Sequence, residues 1–515
     1  MTAHFGVERW RLVFALGLAA LLCVAIGSQP GVADEPAATK PDSKQLTGRL
    51  LITRADLAAA LLRIERAYFA HPPQEPQRSE INKGFDAATL AFFTGRNAEA
   101  IRAIHRLADS LGSEPASPTD QALSSLKAIP SKSVWQAGQA ADATVSIASM
   151  YELPLTEPLP LSVTLKLLSP TGDVVFERPL DIAFGPNRLA QTGTSFDIAG
   201  AHLTPGLFRL ELTAGNTTLP AGNIQVVTGS LDAKREANAA RLETLKPTDP
   251  AVINALASCK ARNKLLSNAP SEENSAQFMA DLNALSNEVA AEIDAIAAEK
   301  NPYARRIGDT WRVLATGKGD ILLRVYAPPV AKDQPMPLLI VLHGAGGDEN
   351  MFLEAYGAGL IKKIADKHGL LIASPLTYRY GGSPERIKQT IDALSHDYAI
   401  DRSRVYLLGH SMGAAATASL ARGAGDTLAA ACCIAGGSSF TNQSTRATPT
   451  LVIVPELDAV VPPQGVKAAA EKAAASGLPV ELRMMPGFGH TLSVGAVLED
   501  AVDWLLKHRL EPPTN

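Results

Sequence analysis

Between residues 305 and 510 the chain repeats one rhythm: a short, nearly uninterrupted apolar run, a helix-forming stretch, then another apolar run. The runs are "PLLIVLHG", "LLIASP", "RVYLLG", "AAACCIAGG", "TLVIVPE" and "VELRMMPG", and the pair "GDTWRVLA" and "DILLRVYAPP" precedes them as an expected hairpin. Strands that lack polar alternation are buried on both faces, and strands separated by helices are joined by crossovers. The segment is therefore expected to form a mostly parallel sheet with helices on both faces.

The 515 residues exceed what one core supports, so a multidomain chain of two or three domains is expected. Its start, "ERWRLVFALGLAALLCVAIGSQPGVADEP", has basic Arg9 and Arg11, an apolar stretch of about 15 residues, then small residues and acid. That is the grammar of a signal peptide over residues 1–33, with cleavage after Ala33, and the run is short of the roughly 20 residues a membrane span needs. The expectation is export to the periplasm, cell surface or medium, with no stable membrane span after cleavage. An uncleaved anchor is the alternative reading. A Pro, Ala and Lys linker covers residues 34–46.

Residues 47–115 read as helical, with Leu57, Leu61, Ile64 and Tyr68 on one stripe and a Gly-Arg-Asn turn between two later helices. From 130 to 228 the period changes to two, as in "SVTLKLLS", the turn "PTGD" and "VVFERPL", which points to an antiparallel β-sandwich-like domain. Residues 231–300 regain helical spacing and are expected to form a helical connector.

A net charge of −4 with both signs interspersed gives no basic footprint, so no nucleic-acid partner is expected. Once the signal peptide is removed, Cys259, Cys432 and Cys433 remain, which is no disulfide framework. The adjacent pair reads as small buried residues on a strand. His105 has no second ligand at a matching spacing and reads as structural. No metal site and no cofactor are expected.

Chemistry concentrates at "RVYLLGHSMGAAATASLAR", where Ser411 stands between Gly409 and Gly413, after a strand and before a helix. A serine on a tight strand-to-helix turn has its Oγ lifted clear of the backbone, and side chains at the two glycine positions would clash across that turn. Serine needs a base, and the family resemblance that this elbow begins to suggest, that of the α/β-hydrolases, implies that an acid and then a histidine follow the nucleophile in the chain. His490 and His508 remain as candidates. His508 lies in the terminal helical segment, whereas His490 in "PGFGHT" follows a strand directly, at the sheet edge where catalytic groups collect. His410 is covalently too close to serve and reads as elbow packing. Between Ser411 and His490, only Glu456 and Asp458 fall in a loop ending a strand, "TLVIVPELDAVVP". Asp458 has the better placement and Glu456 is the fallback. The oxyanion donors are assigned to the backbone N–H groups of Met412 and Ala345, with Gly346 of "LHGAGG" as the alternative to Ala345.

The segments "LHGAGG", "DRSRVYLLGHSMG", "ELDAVVP" and "FGH" together resemble the α/β-hydrolase superfamily, in particular its secreted esterase branch around polyhydroxybutyrate depolymerases and feruloyl esterases. Ala414, where that branch often has glycine, and Pro455 before the acid depart from its pattern. The resemblance covers about two fifths of the chain and implies a C-terminal α/β-hydrolase fold over residues 305–510. It further implies acyl transfer to Ser411, with His490 as base and then acid.

The stretch between "AAACCIAGG" and "TLVIVPE" is too short for an inserted cap, so an open site is expected unless the N-terminal domains cover it. Such a site suits bulky or polymer-borne esters. Tyr378 and Tyr380, with Arg379 between them, are candidate substrate contacts in "SPLTYRYGGSPE". The competing functions are a prolyl-oligopeptidase-like peptidase, a non-enzymatic scaffold using the helical hairpins, and a carbohydrate- or polymer-binding role for the β region. Oligomeric state is not encoded in any of these features.

Overall fold

A computed structural model describes residues 52–112, 116–138, 142–186, 189–197, 203–269, 281–316, 319–329 and 334–511. The expected signal peptide and the linker after it lie outside the described residues. Among these, the chain opens with helices α1 (Arg54–Ala70), α2 (Gln77–Phe93), α3 (Asn97–Asp109) and α4 (Pro118–Ser125). Thr53 caps α1 and Ser117 caps α4, each in a reciprocal capping box with an aspartate at the third helical position, which satisfies backbone donors that the first turn leaves free.

Eight strands follow: β1 (Leu126–Pro130), β2 (Val134–Gln136), β3 (Asp142–Ser149), β4 (Leu159–Leu168), β5 (Val174–Phe184), β6 (Gln191–Asp197), β7 (Gly206–Ala214) and β8 (Thr217–Val227). They form a three-stranded sheet, β1-β3-β6, and a five-stranded sheet, β2-β8-β7-β4-β5. Alternate residues such as Leu161, Val163, Leu165 and Leu167 on β4 and Phe208, Leu210 and Leu212 on β7 enter one core shared with Val145 and Ile147 of β3. The same core takes in Ile64 and Tyr68 of α1 and Phe85 of α2, so the helices and sheets pack as one body. Strand pairing begins at Leu126, and β2 joins β8 in parallel, which alternation alone does not reveal.

Helices α5 (Leu231–Thr244), α6 (Pro250–Asn263) and α7 (Leu282–Ala297) gather Val252, Cys259, Val289 and Ile293 into a core of their own. They are thus more than a connector: Arg262, buried on α6, pairs with Glu288 and Glu292 of α7 and donates to the Trp311 carbonyl of the next sheet.

That sheet contains β9 (Gly308–Leu314), β10 (Ile321–Ala327), β11 (Met336–Leu342), β12 (Leu371–Pro375), β13 (Ile400–His410), β14 (Ala430–Ile434), β15 (Thr450–Pro455) and β16 (Val480–Met485). Helices α8 (Leu360–His368), α9 (Glu385–Ser395), α10 (Met412–Ala421), α11 (Pro463–Ala475) and α12 (Leu492–Leu506) alternate with them. The spatial order is β16-β15-β14-β13-β11-β12-β10-β9. Pairs from β16 through to β12 are parallel, while β12-β10 and β10-β9 are antiparallel. Two separate apolar cores cover the two faces, one built on Val341, Tyr406 and Leu408 and the other on Leu342, Val405 and Leu407. Strand order reverses between β11 and β13, and open α/β sheets bind ligands at the carboxyl ends of strands beside such a switch point. Among the described residues no helix is long and apolar enough to cross a membrane.

Candidate active site

Ser411 sits at the switch point, directly after β13, with φ 55° and ψ −116°. A non-glycine residue at positive φ is strained, and such strain clusters at functional sites. Serine at a helix N-cap ordinarily turns its oxygen onto the first turn of the helix; the Ser411 side chain makes no capping bond. The strained backbone thus leaves Oγ uncommitted to the α10 N-terminus, where the first N–H groups, Met412 included, have no intrahelical acceptor. A Cβ on Gly409 would stand 2.2 Å from the Gly413 carbonyl oxygen, and one on Gly413 would stand 2.0 Å from that of Leu342. Both glycines are therefore required by backbone approach.

The loop after β11 lies beside the elbow: a Cβ on Gly344 would come within 3.2 Å of Ser411 Cβ. His343 accepts the Thr377 N–H at Nε2 (3.0 Å), so its Nδ1 carries the proton and donates to the Gly344 carbonyl at 2.8 Å. Burial pushes His343 down to about 4, which keeps the ring neutral. The N–H of Gly346, the alternative oxyanion donor, is taken by the Tyr378 hydroxyl at 2.6 Å, so this alternative is corrected and Ala345 stands as the candidate beside Met412.

His490 and Asp458 come from the loops after β16 and β15, and the structure brings them together: Nδ1 of His490 donates to Oδ2 of Asp458 at 2.8 Å. Oδ1 of Asp458 accepts the N–H groups of Val460 (2.9 Å) and Val461 (2.7 Å), which fixes the carboxylate's orientation. With Nδ1 protonated, Nε2 of a neutral His490 holds the lone pair. The fallback acid Glu456 instead receives the Gly487 N–H at 3.2 Å, and its side chain is exposed. His508 lies just beyond α12, its ring tilted against Trp504 at 4.2 Å and hydrogen-bonded to that residue's carbonyl.

His410 underlies the pair. Its Nε2 faces the His490 carbonyl at 3.1 Å and must donate, so Nδ1 accepts from the Tyr356 hydroxyl at 2.7 Å. Burial and the neighbouring His490 hold His410 well below the usual histidine range. A neutral ring in this place supports the His490 backbone without adding a charge.

Tyr380, expected as a substrate contact, is corrected: it is 1% exposed with its hydroxyl on Thr390 and packs in the core. Tyr378, the other candidate contact, is exposed beside the loop after β11, where its hydroxyl accepts the Gly346 N–H. The exception to an open site holds in part, because α2 of the N-terminal region lies along it. Near its end, Phe92 approaches Gly346 so closely that a Cβ there would stand 2.4 Å from the ring. Earlier on the same helix, Asp86 and Asn82 bond to the loops carrying Asp458 and His490. These contacts were missed in the sequence. The available signal was two polar residues four apart, beside Ile81 and Phe85 on a stripe that must face inward.

The sequence model of the phospholipase/carboxylesterase family matches residues 381–509, about a quarter of the chain, a range that includes Ser411, Asp458 and His490. No curated protein sequence matches the chain. Among solved structures, a Staphylococcus aureus fluorophosphonate-binding serine hydrolase, FphF, is 15% identical, with coverage of 39% of this chain and 98% of its own and a TM-score of 0.33. A feruloyl esterase module from Clostridium thermocellum, complexed with sinapinate, is 15% identical over 41% of this chain and 92% of its own, with a TM-score of 0.34. A thermostable esterase is 14% identical over 75% of this chain and 100% of its own, with a TM-score of 0.35.

Proposed function

We propose, from the premise that the C-terminal domain is a serine esterase of the α/β-hydrolase superfamily, that the chain is an exported hydrolase of carboxylic esters acting through an acyl-enzyme on Ser411. The observation that carries this reading is the strained elbow at Ser411 on the same sheet edge as the His490–Asp458 hydrogen bond.

Ser411 Oγ attacks the ester carbonyl carbon while Nε2 of His490 takes its proton. Charge developing on the carbonyl oxygen is received by the N–H groups of Met412 and Ala345, aided by the N-terminus of α10. Asp458 holds the imidazole in the tautomer that exposes Nε2 and stabilises the imidazolium, without itself taking the proton. Collapse of the tetrahedral intermediate breaks the ester C–O bond, and the alcohol leaves with the proton from His490. Water then attacks the acyl-enzyme with His490 again as base, which releases the carboxylic acid and restores Ser411.

Residues 435–449, between β14 and β15, contain no inserted helix, and Ser438, Ser439, Ala415 and Ser419 are exposed there and along α10. That uncapped side supports a bulky or polymer-borne ester. Export is inferred from the N-terminal sequence grammar alone.

Fluorophosphonate labelling, with hydrolysis of p-nitrophenyl esters, tests the reading. Wild type should label and hydrolyse, while Ser411→Ala and His490→Ala should do neither. Labelling of Ser411→Ala, or activity retained in His490→Ala and lost in His508→Ala, would contradict the assignment.

A further inference from the structure

We propose that Asp86 is a positioning residue of this ester hydrolase: its one carboxylate fixes the spacing between the Asp458 loop and the His490 loop, and so keeps acid and base in register. The inference rests on the triad reading above. Oδ2 of Asp86 accepts the N–H of Ala459, the residue next to Asp458, at 2.9 Å. Oδ1 accepts the N–H of His490 itself at 2.8 Å. The two loops leave neighbouring parallel strands, and backbone bonds from Glu456 to Met485 and from Leu457 to Phe488 join them below the catalytic residues. Asp86 adds a tie at the level of those residues, from a 17-residue helix that cannot flex as a loop would.

The neighbourhood is built around this contact. Asn82, one turn earlier on α2, accepts the Gly489 N–H at 2.9 Å and is itself fixed by the Tyr68 hydroxyl and the Arg78 carbonyl. A Cβ on Gly489 would stand 2.8 Å from Asp86 Oδ1, and one on Gly487 would meet Glu75 of the segment before α2 at 2.0 Å. The glycines of "PGFGH" thus admit the helix, which explains a loop that sequence alone shows only as glycine-rich. The Asp86 side chain is buried, and a carboxylate retained in such a place costs desolvation that two backbone donors and the nearby His490 offset only in part. Misplacing a catalytic group by about 1 Å costs on the order of a hundredfold in rate.

The test uses the full chain with p-nitrophenyl ester kinetics, urea unfolding and the downfield proton resonance of His490 Nδ1–H. Asp86→Ala should lower kcat about a hundredfold and leave KM within about twofold, since Asp86 touches the loops and not the ester. Asp86→Asn keeps one acceptor and should fall between this variant and wild type. Both should shift or broaden the His490 resonance while remaining folded. Glu65→Ala, which removes a different buried bond between α1 and the Gly357 N–H, should lower the urea midpoint and leave kcat unchanged. Wild-type kcat in folded Asp86→Ala, or an equal loss in Glu65→Ala, would overturn the proposal. Loss of labelling in Ser411→Ala with full activity in both Asp86 variants would sink this inference alone; labelling of Ser411→Ala would sink the triad reading and this inference with it.

Discussion

Nδ1 of His490 donates to Oδ2 of Asp458 at 2.8 Å, with 3% of the histidine side chain and 1% of the aspartate side chain exposed. In so dry a place the carboxylate decides which ring nitrogen carries the proton. Asp458→Asn leaves the shape intact but presents an amide that can favour the wrong tautomer. Its kcat on a p-nitrophenyl ester is expected to fall on the order of 10⁴-fold with the chain still folded by circular dichroism.

The backbone of Ser411 at φ 55° is held there by its surroundings at a cost in stability. Ser411→Gly removes the Cβ penalty and the nucleophile together. It should abolish labelling while stabilising the catalytic domain by about 1 kcal/mol, read from urea unfolding monitored within that domain.

Gly413→Ala has no such outlet, because the added carbon would stand 2.0 Å from the Leu342 carbonyl oxygen, in the middle of the sheet. Leu342 ends the central strand β11 and Gly413 opens α10, and neither element can retreat without breaking the hydrogen bonds that hold it. The substitution is expected to destabilise by several kcal/mol and to yield little soluble protein, as measured by expression and urea midpoint.

Burial pushes Asp86 up to about 6, against an ordinary 3.8. The folded chain therefore binds this proton more tightly than the unfolded chain does. The resulting stability is fully present below pH 4 and is lost as pH rises through about 6, to a total of no more than about 3 kcal/mol. Asp86→Asn should remove this slope. The difference in unfolding free energy between variant and wild type should move in the variant's favour from pH 4 to 6.5 and then level off. Parallel curves over that range would contradict the burial argument.

The catalytic sheet was readable because its central strands, β11 to β15, each hold a run of five or more buried residues whose character is set locally, as in "LLIVL" and "VYLLG". The glycines of the elbow were readable for the same reason: a strand, a tight turn and a helix need only neighbouring residues to specify them. Tyr378 and Tyr380 show the limit. Two positions apart on one short helical turn, one faces the loop at Gly346 and the other enters the core against Thr390. Their sequence context is the same, so only packing separates them. Asn82 and Asp86 were hidden for a different reason, since a polar pair on a helix usually faces water.

What the sequence determined by itself is the parallel sheet, the elbow at Ser411 and the short roster of histidines and acids at strand ends, because periodicity and turn chemistry act over a few residues. Tertiary structure alone decided that a helix near residue 86 would reach the loop at residue 490, 404 positions away. That contact depends on how separately folded layers stack, and stacking is governed by the shape and desolvation of whole surfaces. No local pattern in either segment carries that information.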